Sequence, residues 1–214
     1  MSRQKGFRVA TGIDAPIETV WRAVTDLDRT RQWFGWEHSD LDDEITEIFH
    51  NGADTGPGHR IGLPVDQELI VSGDGADTTI AVTMPGARLD TEQDEAYDPM
   101  EEGWRAFFAQ LKFYLERWPQ GHRRTLFFTG AAAGTDLTRL IDGRTWLTAR
   151  FQHMVVVDGH LVGVGARTPL SGSDPGSASL IVSGYDLDDT QFDRLREHWT
   201  GRWNSVATDV KLVV

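Results

Sequence analysis

An α+β fold built on an antiparallel sheet is predicted by three features of this sequence. A strand-like opening is followed at once by an amphipathic helix. The chain then breaks into short segments punctuated by Gly, Pro and Asp, and a long helix with clear ends follows at EEGWRAFFAQLKFYLERW, residues 101–118. Residues 7–13 (FRVATGI) read as the first strand. Pro16 suits a first helical turn, where its missing N–H is harmless, and Ile17, Val20, Trp21 and Val24 recur at helical spacing. A second short helix over residues 29–34 ends in the aromatic cluster Trp33, Phe34 and Trp36. The segments 43–50, 58–63, 66–72 and 78–84 read as strands of an antiparallel meander with one wet face.

The long helix is the clearest element. Asp98 can cap it, Pro99 occupies the first turn, Glu101 completes a capping-box spacing, and Pro119 and Gly121 stop it. At about 100° per residue, Trp104, Phe107, Phe108, Leu111, Tyr114, Leu115 and Trp118 share one stripe of roughly 120°. Burying such side chains stabilises by about 1.5–3 kcal/mol each at most, so the stripe must cover something. Phe113 points elsewhere. It is either a lone exposed aromatic or the mark of a second contact face.

The second half reads either as a shortened replay of the first or as a second strand-then-helix unit alike by amphipathicity alone, and the first reading predicts a division into 1–118 and a reduced, repeat-like unit 119–214. RVATGIDAP is echoed by LFFTGAAAG at 126–134, and a helical fragment ending in Trp follows each, at Trp33 and Trp146. Strand-like segments come next at 147–158, 160–168 and 177–187, the last comparable with TTIAVTMPGARL at 78–89. In the closing helix, expected to run to about 213, Trp199, Trp203, Val206 and Val210 repeat Trp104, Phe108, Leu111 and Leu115 at a constant offset of 95 residues. Asp188 and Gln191 make a cap-like start. Gly201 costs that helix about 1 kcal/mol relative to Ala, which tertiary packing must offset.

Composition narrows the function classes. Hydrophobic residues at 39% and charged residues at 25% of 214 are those of a globular chain able to bury a core without staples. A formal net charge of −12 argues against a nucleic-acid partner, whose phosphates need clustered Lys and Arg. With no Cys there are neither disulfides nor thiolate sites. The opening MSRQKGFRVATG has no long apolar run, so neither a membrane span nor a secretion signal is expected, and cytoplasmic residence is the default.

No catalytic constellation stands out. The seven His residues show no metal-ligand spacing, and no metal or cofactor is expected. GHLVGVGART lacks the G-x-G-x-x-G order and reads as a turn between strands, and the Asp42/Asp43 and Glu101/Glu102 pairs suit helix starts or solvated loops. His59 is the one polar candidate: on a strand after GPG, it either faces a cavity, where an imidazole could orient a ligand or move a proton, or faces solvent.

The run DAPIETVWRAVTDLDRTRQWFGW, with Ala15, Pro16, Val20, Trp21, Trp33 and Phe34, resembles the signature of the START-like, birch-pollen-allergen-like superfamily. This group is also called the polyketide cyclase or SRPBCC family. Gly103, Trp104 and Leu111 match its G-W entry to the last helix, and the nearest branch is similar to the activator of heat-shock protein 90 ATPase homologues. The resemblance is good over residues 5–118 and weak over 125–214. It implies a helix-grip fold, in which an antiparallel curved sheet wraps the long C-terminal helix and encloses a cavity. Between Trp36 and Asp98 there is room for only about four or five short strands, so a shallow cavity, or one closed by the second half, is expected.

Three functions are open to such a chain. The leading one is a non-enzymatic protein holding a small apolar molecule, with Trp33, Phe34, Trp36, Trp104, Phe107, Phe108 and Leu111 as walls and His59 as polar neighbour. The second is a protein-interaction module of the chaperone-activator type, with a chaperone or a second copy as partner, which needs an exposed patch such as a Phe113 face. The third, a cyclase-like enzyme, needs at least two polar groups converging on the cavity.

Overall fold

The computed structural model of the chain describes residues 5–50, 55–56, 58–86 and 96–213. It divides into two compact units, one comprising Met1–Gly35 and Asp40–Trp118, the other Trp36–Ser39 and Pro119–Val214. The second unit therefore recruits a short strap from the first half, which the reading of residues 1–118 as one piece missed.

The first unit runs β1 (Phe7–Asp14), α1 (Ile17–Thr25), α2 (Leu27–Thr30), α3 (Leu41–Phe49), β2 (Thr55–Gly56), β3 (Arg60–Leu63), β4 (Gln67–Asp74), β5 (Asp77–Met84) and α4 (Pro99–Arg117). Its antiparallel sheet has the order β1-β5-β4-β3-β2, so the meander returns its last strand to the first. The β1–β5 pairing is continuous from Phe7↔Met84 to Asp14↔Asp77. Phe7, Val9 and Ile13 alternate inward along β1 while Arg8 and Ala10 face out. Helix α4 packs along β1, and α1 lies over β4 and β5. This is the mixed α+β, helix-grip order expected from the sequence.

Helix α4 begins as its residues require: the Asp98 carboxylate accepts from the Met100 and Glu101 N–H groups at 2.9 and 3.1 Å. The expected capping box is not made, because the Glu101 carboxylate is taken by Lys5 at 3.2 Å and Arg105 at 3.1 Å. The helix stops at Trp118, whose φ of 46° is left-handed. The following Pro119 disfavours a helical conformation there. The turn carries Trp118 out of the stripe, leaving it exposed and stacked on Tyr114 at 6.3 Å. Phe113, the outlier of the stripe, is buried, at 2% exposure.

The expected strand at 43–50 is instead helix α3. Leu41, Ile45 and Phe49 are all buried at helical spacing, and Asp42, Asp43 and Glu44 occupy the first turn, where the helix dipole favours carboxylates. The β-branched residues that suggested a strand are outweighed by this packing. The comparison of 78–89 with 177–187 falls partly outside the described residues, at 87–89.

The second unit runs β6 (Arg123–Ala133), α5 (Gly134–Leu140), β7 (Arg144–Thr148), β8 (Gln152–Val157), β9 (His160–Ala166), β10 (Pro175–Tyr185), α6 (Asp189–Asn204) and β11 (Thr208–Val213). Its sheet has the order β11-β6-β10-β9-β8-β7. Without β11 this is the first unit's topology: an opening strand, a helical crossing, a four-strand meander paired back to the opening strand, and a terminal helix. Two expectations fail in detail. Trp146 lies in β7 rather than at a helix end, since α5 stops at Leu140. The closing helix ends at Asn204, beyond which Val206 and Val210 lie, Val210 in β11. The tail TDVKLV finds ladder partners on β6 from Thr208↔Ala131 to Val213↔Phe127, with an irregularity between Thr208 and Lys211. Pairing there satisfies backbone groups that another helical turn would leave at the surface. The start of α6 is a complete capping box, with Asp188 and Gln191 exchanging bonds of 2.8 and 2.9 Å.

The strap belongs to this unit by specific bonds. The Trp36 ring stacks on Phe127 at 4.0 Å and 11°. The Glu37 N–H donates to Thr125 Oγ1 at 2.6 Å, and the Thr125 N–H donates to Glu37 Oε2 at 3.4 Å. Nearby, the buried Arg123 guanidinium donates to Ser183 Oγ at 3.2 and 3.1 Å. Burial works against its charge, and Tyr185 and Glu37 offset part of that cost. Among the described residues no helix is long and apolar enough to cross a membrane.

His160, at the head of β9, makes the second unit sensitive to acid. Its Nδ1 is buried without a hydrogen-bond partner. A Cβ at Gly184 would lie 2.5 Å from Leu187 Cδ1 and 3.3 Å from that nitrogen, so a larger residue there would crowd both side chains. Burial pushes the His160 pKa below the ordinary 6.5, against the pull of Asp158. The folded state thus binds fewer protons than the unfolded one below that value, and stability falls as pH drops through and below 6.5. Urea unfolding at about pH 7.5 and about pH 5.5 should show this loss, and His160→Leu should flatten it.

Candidate functional site

The first unit carries a pocket of about 290 Å³ between α3, the β3–β4 turn and the first turns of α4. Phe34, Trp104 and Phe107 form its aromatic wall, Ile48, Leu63 and Met100 add aliphatic surface, and Gly103 opens the helix side. Pro64 and Pro99 complete the lining, together with two polar side chains, Gln67 and Glu44. Glu44 sits at the exposed edge, whereas Gln67 is 8% exposed.

The rings of the wall pack on one another, most of them edge to face. Trp104 meets Phe49 at 6.3 Å and 88° and Phe107 at 5.9 Å and 87°, while Phe107 lies 4.5 Å from Phe34. Phe34 in turn stands edge-on to Phe49 at 5.3 Å. Such pairs are worth about 0.5–1.5 kcal/mol beyond the area they bury. Behind them Trp33 is anchored by its indole N–H on the Ala23 carbonyl at 2.8 Å.

One polar contact organises the floor. The Trp104 indole N–H donates to Gln67 Oε1 at 2.6 Å, and Gln67 Nε2 donates to the Pro64 carbonyl at 3.1 Å. An indole only donates and a carbonyl only accepts, so the two partners fix the orientation of the amide. The turn that presents Pro64 is strained: Val65 and Asp66 both have positive φ, 60° and 56°. For a β-branched residue such as Val65 this is a costly conformation.

The eight residues singled out from the sequence part company here. Phe34, Trp104 and Phe107 line the pocket, whereas Trp33, Phe108 and Leu111 are fully buried in the core and absent from its lining. Trp36 belongs to the second unit, stacked on Phe127. His59, expected on a strand and facing either a cavity or solvent, is also outside the lining and lies in a turn rather than in the strand. Its φ of 57° sets it in the turn before β3. Its Nε2 lies 3.2 Å from Glu18 Oε1, and its ring stands edge-on to Trp21 at 5.1 Å.

Gln67, Met100, Leu63 and Ile48 went unnoticed, and Gly103 was singled out only for the G-W entry to the helix, not as a pocket residue. Only Gly103 carried a signal in the sequence, as a glycine inside a strong helical pattern. A Cβ there would meet only Phe107 Cε2, at an ordinary 3.9 Å, so neither crowding nor backbone geometry requires glycine. What its absence of side chain does is leave the pocket open on the α4 side. Among the described residues no three His, Asp or Glu side chains gather as metal ligands.

No protein-family model matches the chain, and no curated protein matches it. Solved structures resemble it at low identity, among them the following three. DynU16, a protein of the dynemicin biosynthetic locus, is 18% identical with a TM-score of 0.36, over 94% of this chain and 95% of that one. The di-domain ARO/CYC BexL from the BE-7585A biosynthetic pathway is 13% identical with a TM-score of 0.35, over 85% of each chain. The di-domain ARO/CYC StfQ from the steffimycin biosynthetic pathway is 11% identical with a TM-score of 0.33, over 83% of this chain and 84% of that one. At such identities and TM-scores none of their activities is carried over to this chain.

Gly103 supplies a stability test with an internal control. Gly103→Ala should stabilise the fold by up to about 1 kcal/mol, the ordinary helix-propensity difference. Gly201→Ala, at a helical position with no atom within 4 Å of a new Cβ, should do the same. Denaturant midpoints of the two variants check this. A loss of stability in Gly103→Ala alone would mean that glycine is needed there for packing.

Proposed function

We propose that the first unit binds a small apolar molecule in the pocket beside α4, and that the chain is a ligand-binding member of the START-like superfamily it resembles. The observation that carries this reading is the pocket itself, about 290 Å³ walled by interlocked aromatic rings. It lies at the lower edge of the roughly 300–1,000 Å³ of small-molecule sites. A dry cavity of about 150 Å³ accepts benzene, so this one has room for about two fused rings. Gly103 supports the same reading, since a helix that only had to be stable would carry Ala there.

A docking module of the chaperone-activator type needs an exposed apolar face. Phe113, which would have marked one, is buried, and the large apolar side chains exposed among the described residues are Val65 and Trp118. A cyclase-like enzyme needs two polar groups converging on the bound molecule. The polar side chains of the described lining are Gln67, already engaged on two sides, and Glu44 at the solvent edge. Binding is the better-supported reading.

Because Trp104 stands in the wall, its fluorescence reports occupancy. Titration with 2-naphthalenemethanol should perturb the tryptophan emission saturably, and native mass spectrometry should show one molecule bound. Gly103→Leu, which places a side chain in the space, should weaken binding at least about tenfold, a loss of about 1.4 kcal/mol. Undiminished binding by a folded Gly103→Leu protein would place the ligand elsewhere and overturn the assignment.

A further inference from the structure

The chemistry of the pocket lining restricts what can enter it, given the reading that it binds a small molecule. We infer that the pocket selects uncharged molecules bearing one hydrogen-bonding group, which sits on Gln67, and that it rejects carboxylates and other anions.

The first ground is the absence of a positive partner. Among the described residues the lining contains no Lys, Arg or His. The nearby start of α4 does not offer its amide groups to an anion either. Those of Met100 and Glu101 are already given to the Asp98 carboxylate, and that of Glu102 to the Asp98 carbonyl. The anion position of this helix is thus filled by the protein's own carboxylate. Arg105 is held by Glu101 and Glu102, and Arg60 by Glu68, at 2.8–3.2 Å. A second carboxylate, Glu44, stands at the pocket edge. An anion entering would leave water for an apolar wall without gaining a cation from the described lining.

The second ground is the unused capacity of Gln67. Its amide has two N–H groups and two carbonyl lone pairs. Pro64 takes one N–H and Trp104 occupies one lone pair, which leaves one donor and one acceptor on a side chain that is 8% exposed and borders the pocket. A hydroxyl group, which donates and accepts, complements that remainder. A ligand with no polar atom would leave it unmatched, and such a mismatch is the usual source of strong discrimination in a buried site.

Three probes of one shape separate these terms: 2-naphthalenemethanol, 2-methylnaphthalene and 2-naphthoate, titrated at neutral pH by tryptophan fluorescence and calorimetry. The alcohol should bind about tenfold tighter than the methyl compound and at least about tenfold tighter than the carboxylate. In Gln67→Leu the alcohol should lose its advantage while 2-methylnaphthalene is retained. Naphthoate binding as tightly as the alcohol overturns the exclusion of anions. Equal binding of the alcohol and the methyl compound by the unaltered protein overturns the role of Gln67, whether or not the variant folds. Failure of all three probes to bind overturns the ligand-binding reading on which this inference rests.

Discussion

The burial of one helical stripe sets the terms for the first unit. Trp104, Phe108, Leu111 and Leu115 form a continuous apolar face on a 19-residue helix, and all four are buried in a single core cluster. A helix of this kind cannot stand in water, and a two-stranded ribbon could not cover it. The sheet is made wide enough by returning the last meander strand to β1, and α4 then lies along β1. Lys112 donates to the Gly12 carbonyl at 2.7 Å and Glu116 accepts from the Asp14 N–H at 2.9 Å, which tie the polar flank of the helix to the same strand.

The pocket is a local exception to this packing. At Phe108 and Leu111 the stripe is fully buried. Toward the helix start the rings of Trp104, Phe107, Phe34 and Phe49 pack on one another, and glycine at 103 leaves a gap unfilled. The buried Gln67 is admitted because Trp104 and Pro64 satisfy it on two sides, as a buried amide requires. Packing order and open volume therefore alternate along one helix, set by residue size.

The second unit reaches the same topology with different support. Its terminal helix also packs on the opening strand of its own sheet, with Trp199 and Trp203 buried where α4 has Trp104 and Phe108. The two units differ after their terminal helices. The first unit's described chain turns away at Trp118, whereas the second adds β11 against the free side of β6 and so moves the sheet edge outward. The strap Trp36–Ser39 adds a further tie through Phe127 and Thr125, far away in sequence.

What the residues determine by themselves is whatever depends on short-range periodicity and end chemistry. Asp98 and Pro99 start a helix, Trp104 to Leu115 give it one buried face, Asp188 and Gln191 start another, and alternation in 7–13 makes a strand. The fold class and the aromatic end of α4 were legible for that reason. Helix α3 was not, because its shortness and its β-branched residues suggested a strand, although Leu41, Ile45, Ile48 and Phe49 recur at helical spacing. Nor could spacing reveal that Trp36 would leave its neighbours Trp33 and Phe34 for another unit, or that Gln67 would meet Trp104 across 37 positions. Those pairings depend on which strands lie side by side. Register across a sheet is decided by long-range packing, and it is register that turns a stripe of aromatic residues into a pocket with one polar side chain at its floor.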